Sequence, residues 1–236
     1  MTKVNDAPPA PEPEAPSRRE AAKRDKLERI TAAAEALFLE RGYDATTTQE
    51  VAERAGIAKG TVFLYARTKP ELLALVFRGR IAETLERAFA RVTGPRRPRT
   101  LHASWLAIFS ELFALYARTP GLARLFLKEL WFADGELLET RRSVDTAFIS
   151  RLASLVDEAR ERGEVAEDAD AMLGAACAMQ LYIGALTAWL NGLFPDPDSA
   201  LERLSRGLAL LTRGLAAPTR SAASKKKVPS PRKERR

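Results

Sequence analysis

Lys59, Thr61, Phe63, Leu64, Tyr65 and Lys69 fall within eleven residues of one another, in the run GIAKGTVFLYARTKPELL that begins at Gly56. Between them they offer two ammonium groups, a hydroxyl, a phenol and two large apolar groups. These are the means to touch phosphates, to hydrogen-bond base edges and to pack on thymine methyls. They lack a nucleophile with a base to activate it. The only histidine, His102, lies some seventy-five residues from the only cysteine, Cys177, on a different expected helix. Cys177 sits among alanines, surroundings in which a thiol is inert. No residues have metal-ligand spacing, no glycine loop suits a phosphate and no acid/base pair stands out, so neither catalysis nor a metal or other cofactor is expected. The chemistry on offer is recognition.

The elements that must hold these residues are helices. Leu27, Ile30, Ala34, Leu37 and Phe38 share one helical face and Gly42 is a natural stop, so a first helix is expected over 18–41. Thr47-Thr48-Gln49-Glu50 has the form of a capping box, with Thr47 opening a second, short helix that ends at Gly56. A third helix is expected from about Ala58 to about Thr68, because Pro70 disfavours helical geometry at Lys69 and suits the first turn of a fourth helix. Two short helices across a glycine turn make a helix-turn-helix. If Val62 and Ala66 face the first two helices, Gly60 and Leu64 face away, toward a partner. The segment 18–70 carries eleven Lys/Arg against eight Asp/Glu, which fits a DNA groove.

Composition agrees with an all-α chain of 236 residues, 46% hydrophobic and 29% charged, rich in Ala, Leu, Glu and Arg and without alternating strand patterns. The net charge of +7 has a definite location. Residues 216–236 hold eight Lys/Arg against Glu234 alone, so the remainder is neutral overall. That segment and residues 1–17, with five prolines, are expected to be disordered, because neither has the apolar content to offset ordering. A single cysteine and the lack of an apolar leader point to a reducing cytoplasm.

From Ile30 to Leu73 the chain reads ITAAAEALFLERGYDATTTQEVAERAGIAKGTVFLYARTKPELL, which resembles the DNA-binding domain of the TetR (tetracycline-repressor) family in the spacing of its LF, GY, TT, AG, KGT and K-x-E-L elements. The resemblance implies an all-helical homodimer. In it, an N-terminal three-helix helix-turn-helix domain (18–74) binds double-stranded operator DNA, and a larger helical domain (75–215) binds a small effector and dimerises. It implies that Thr47 caps the second helix and touches phosphate, that Ala58, Lys59, Gly60, Thr61, Phe63, Leu64 and Tyr65 line the DNA side of the recognition helix, and that Lys69 touches phosphate. Phe63 stands where the family has tyrosine and Ala66 where it has phenylalanine. Readout therefore leans on apolar contacts, and the packing of the third helix on the first is either looser or filled by something else.

Beyond residue 74, helices are expected at 70–92, 100–118, 120–132, 137–162, 168–191 and 198–214, with Pro and Gly between them. Residues 171–190 form an uncharged run of membrane-spanning length. Its alanines and glycines and its acidic flanks, Asp168, Asp170, Asp196 and Asp198, read instead as close helix packing. The resemblance makes 168–191 and 198–214 the dimer helices, with no membrane partner. Trp105, Phe109, Trp131, Gln180 and Trp189 are candidate walls of an apolar effector pocket between helices, and few charges interleave them, so a lipophilic or aromatic effector is expected rather than a phosphorylated one. The reading that emerges is a ligand-responsive repressor, cytoplasmic and nucleoid-associated. A nonspecific DNA-associating protein led by its basic tail and a small-molecule enzyme stand as the alternatives.

Overall fold

The computed structural model describes residues 18–216, and among them it has nine α-helices and no strand. The two tails expected to be disordered lie, apart from Ala216, outside the described residues. α1 (Arg18–Arg41) stops at Gly42, which takes a left-handed φ of 86° and donates its N–H to Phe38 O at 3.1 Å. α2 (Thr48–Ala55) opens on the expected capping box and closes at Gly56 (φ 62°, ψ 40°). α3 (Lys59–Val62) is shorter than the expected 58–68. It continues as tighter turns, in which Leu64 N–H donates to Thr61 O (3.2 Å) and Tyr65 N–H to Val62 O (2.9 Å). Thr61, Val62, Phe63 and Tyr65 are β-branched or aromatic, and such residues lose side-chain freedom in a helix, so a short turn with its apolar side packed is the cheaper form.

α4 (Lys69–Thr93) starts where Thr68 Oγ1 accepts from Glu71 N–H at 3.3 Å, with Pro70 in the first turn. After it come α5 (Leu101–Ala117), α6 (Pro120–Trp131), α7 (Gly135–Glu161), α8 (Ala171–Leu190) and α9 (Pro197–Leu215). Asp170 and Asp196 cap α8 and α9 by accepting from Leu173 N–H (2.9 Å) and Ser199 N–H (2.7 Å).

Packing groups the chain into two units, and the division does not fall at residue 74. One unit runs through Glu86 and takes in Leu115–Arg141; the other holds Arg87–Ala114 and the residues from Arg142 onward. Phe77 shows why. Its ring stacks on Phe126 of α6 at 4.5 Å and lies 5.9 Å from Tyr116, so the buried first half of α4 (Leu72, Leu73, Val76, Phe77) brings α6 into the unit that holds α1–α3. A boundary drawn from the motif ends where the motif ends; packing continues past it.

The second unit is built on α5, whose Trp105, Ile108, Phe109, Leu112 and Phe113 are buried. α8 packs on α9. Small residues permit this: a Cβ at Gly207 would sit 3.4 Å from Leu181, and one at Gly174 only 3.1 Å from Leu215. By length and composition α8 could cross a membrane, with a mean hydropathy of 1.5, but its Ala175, Ala178, Tyr182 and Leu186 are buried among helices.

Candidate nucleic-acid interface

The α2–α3 turn is held from behind. Arg29 on α1 donates through Nη2 to Ala55 O at 2.5 Å and to Gly56 O at 3.0 Å, which occupies two carbonyls at the end of α2. The same nitrogen would lie 2.9 Å from a Cβ at Gly56, so a side chain there would displace the arginine, and the left-handed backbone itself favours glycine. Arg54 makes a two-pronged bond to Glu40 (2.7 and 2.5 Å), and this hydrogen bond is the first cause of the lowered Glu40 pKa.

On this support, α3 presents two unlike faces. Val62 and Ala66 are buried, whereas Ala58, Lys59 and Gly60 are exposed, Thr61 and Tyr65 half-buried and Leu64 83% exposed. Phe63 is 37% exposed and lies under the Lys59 ammonium, 5.9 Å from nitrogen to ring centre. A solvent-facing row of a cation, a glycine, a hydroxyl and two large apolar groups on a rigid base suits base-edge and methyl contacts.

Thr47 and Lys69 come together beside it. Thr47 Oγ1 accepts from Glu50 N–H at 3.2 Å while Glu50 Oε2 accepts from Thr47 N–H at 2.9 Å. The Thr47 N–H first, then the Thr47 hydroxyl donating to Glu50 Oε2 at 2.9 Å, hold the Glu50 carboxyl below its ordinary pKa, with Arg41 assisting at 2.5 Å. Lys69 Nζ donates to Asp44 O (3.0 Å) and Thr46 O (3.4 Å) and lies 4.7 Å from the Tyr43 ring centre. The ammonium therefore rests on the loop that leads into Thr47, at the positive end of α2. Tyr43 beneath it is buried, and burial, with Glu129 and Asp44, pushes its phenol up to about 12.

Tyr65 bonds in a direction that sequence reasoning missed: its phenol donates to Lys23 O on α1 at 3.2 Å. Arg29 was missed as well. Both contacts span more than twenty-five residues, and no local pattern announces them.

The five candidate effector walls do not converge on one place. Trp105 is fully buried and donates Nε1–H to Leu152 O at 3.3 Å; Phe109, also buried, stacks on Tyr182 at 4.7 Å. Trp189 stacks on Phe113 at 5.8 Å, and Phe113 also meets Tyr182 at 6.0 Å, so Phe109 and Trp189 border one aromatic core. Gln180 is exposed on α8, and Trp131 is 46% exposed at the end of α6, in the other unit, beneath Arg141 at 5.5 Å. An open cavity of about 150 Å³ is lined by Phe63, Leu64, Tyr65, Leu75, Arg78 and Leu137 among others, and by none of those five.

A family profile described as "Bacterial regulatory proteins, tetR family" matches residues 30–76. The fatty acid metabolism regulator protein of Bacillus subtilis is 26% identical over 195 residues, 79% of this chain and 97% of that one. The HTH-type transcriptional regulator TtgR of Pseudomonas putida is 30% identical over 173 residues, 71% of this chain and 80% of that one. Among solved structures, Thermus thermophilus FadR, a TetR-family repressor in complex with lauroyl-CoA, superposes with a TM-score of 0.67 at 23% identity, covering 88% of this chain and all of that one. With the profile on the helix-turn-helix and such relatives across both units, the chain belongs to the TetR family of bacterial regulatory proteins.

Proposed function

We propose that this regulator is a homodimeric repressor that binds a palindromic operator in double-stranded DNA and is released by a small lipophilic effector, a fatty-acyl thioester being the class we favour. The observation that carries the DNA reading is the facing of the α3 turn: Val62 and Ala66 lock it to its own unit while Lys59, Gly60, Phe63 and Leu64 stand out from it. Thr47 and Lys69 take backbone phosphates, and Lys59, Thr61, Phe63 and Leu64 meet base edges and methyls.

Dimerisation is supported by the apolar side chains that α8 and α9 leave in water, Leu173 at 61% and Leu210 at 66% exposed. A two-fold dimer asks for a palindrome, with half-sites spaced as its two heads are spaced. The effector class rests on the name of the Bacillus subtilis relative and on the lauroyl-CoA held by the Thermus protein. In this chain the matching feature is the aromatic core of Phe109, Phe113, Tyr182 and Trp189. An acyl chain would insert there, with Trp105 at its border. A ligand of this kind shifts DNA binding only by its unequal affinity for the two states. The place of action is the cytoplasm, where the DNA is, with no membrane partner.

Selection from a random duplex pool, followed by footprinting against excess competitor DNA, tests the reading. One palindrome should emerge, and lauroyl-CoA should release the protein from it while coenzyme A alone does not. Recovery of no preferred sequence would leave a nonspecific DNA-associating protein in its place.

A further inference from the structure

α1 is longer than its core requires. Its buried residues, Ile30, Ala33, Ala34, Leu37 and Phe38, all lie in its second half. The first twelve residues, 18–29, bury nothing, and only Ala21 and Leu27 are even half-covered. They hold six Lys/Arg against three Asp/Glu.

The arrangement of those charges is not random. At 3.6 residues per turn, Arg19, Lys23 and Lys26 fall within an arc of about 60°, and the same arc contains Ile30 and Leu37. The stripe that is apolar where it meets protein turns cationic where the protein ends. Glu20, Asp25 and Glu28 all point outside that arc. Asp25 and Glu28 are spent on Arg29 (3.7 Å) and Arg24 (3.9 Å), whereas Arg19, Lys23 and Lys26 form no ion pair among the described residues. A helix with a row of three cations and no core beneath it must be held in place by something else. Arg29 ties its end to α2, and nearer the cations Tyr65 holds it, its phenol donating to Lys23 O from the foot of the recognition turn.

We infer that the first turns of α1 are a second backbone-contact face on each DNA-binding head, and that Tyr65 is the positioning residue that holds this face beside the recognition turn rather than a reader of bases. Arg19, Lys23 and Lys26 span about 10 Å along the helix, enough to follow the phosphates that flank the groove entered by α3. Tyr65, half-buried and with its hydroxyl turned to Lys23, ties two kinds of contact into one rigid head. It also answers the small Ala66, which has no ring of its own to pack on α1. The inference rests on the reading of the chain as a DNA-binding protein.

The test uses the full chain on a labelled random-sequence duplex and on a duplex selected by the unaltered protein, each titrated across salt concentrations. Arg19→Ala/Lys23→Ala/Lys26→Ala should lower the log–log salt slope by about 2–3 per head and weaken both duplexes together, since each lost phosphate contact removes roughly 0.9. Tyr65→Phe, which keeps the ring and removes only the hydroxyl, should weaken both duplexes about three- to tenfold and leave the ranking of operator variants as it was. Melting of the triple variant should match the unaltered protein, because no core residue changes. A triple variant with an unaltered salt slope would overturn the backbone-contact face, and a Tyr65→Phe variant that reorders base preference would make Tyr65 a reader. If the unaltered protein binds neither duplex, the DNA-binding reading itself fails, an outcome distinct from both.

Discussion

In the proposed DNA complex, Leu64 and Lys69 make two kinds of contact that one binding measurement separates. Leu64 is held out from the recognition turn and stays largely exposed among the described residues. Leu64→Ala or Thr61→Ala should therefore change which operator variants bind, by about 1–3 kcal/mol at the position touched. Lys69 spends its ammonium partly on Asp44 O and Thr46 O, so Lys69→Ala should weaken binding to all sequences alike, lower the salt slope by about 0.9 and loosen the loop before α2. An unchanged slope would remove Lys69 from the phosphate contacts. Beneath it, Tyr43 carries a phenol pushed up to about 12, chiefly by burial. A folded pKa above the unfolded value means stability that is whole below the unfolded pKa and lost as pH rises through the folded one. Between pH 10 and 12 the protein should lose about 2–3 kcal/mol through this group, and Tyr43→Phe should be spared that loss in melting curves taken across the range.

Among the elements, α2 is the most exposed to single changes, since eight residues carry it and both of its ends are specialised. Thr47→Ala removes the cap and should cost about 1 kcal/mol by denaturant titration. Gly56→Ala forces a side chain into a left-handed backbone and against Arg29, so it should cost about 1–2 kcal/mol and disorder the turn that aims α3. The Glu50 carboxyl is lowered mainly by the Thr47 N–H, and its contribution therefore exists above the ordinary glutamate value and disappears as pH falls through the lowered one. Melting points of the unaltered protein and Glu50→Ala should accordingly converge in acid and stand apart at neutral pH. A constant gap would mean that the box works without its charge.

Over the whole molecule, the decisive question is what covers α8 and α9. Their shared contact is filled by Ala, Gly and Leu, while Leu173 and Leu210 remain outside it. Leu173→Arg/Leu210→Arg should turn a dimer into a monomer in sedimentation, retain the helical circular dichroism signal and abolish tight binding to a palindrome while leaving weak half-site binding. A double variant that sediments with the unaltered protein would place the dimer contact elsewhere.

Much of this was legible along the chain because it depends on neighbours. The stop of α1 at Gly42, the capping box at Thr47, the stop at Gly56 and the start of α4 beside Pro70 are set by residues within one turn of one another, and the inward facing of Val62 and Ala66 follows from helical period. Even the all-helical class needs only local preference summed over many windows. Other features depend on contacts between residues far apart, which no local window contains. Phe77 meeting Phe126 carries a packing unit past the motif boundary at residue 74, and α3 shortens because its own residues weaken it while tertiary packing of Val62 and Ala66 does not require more. Periodicity places Gln180 on a helix but not on which side of it the protein lies, and it is exposed. Arg29 at the α2 end and Tyr65 on the Lys23 carbonyl are likewise decided only when the chain closes, because a hydrogen bond across twenty-six or forty-two residues leaves no trace in the spacing of either partner.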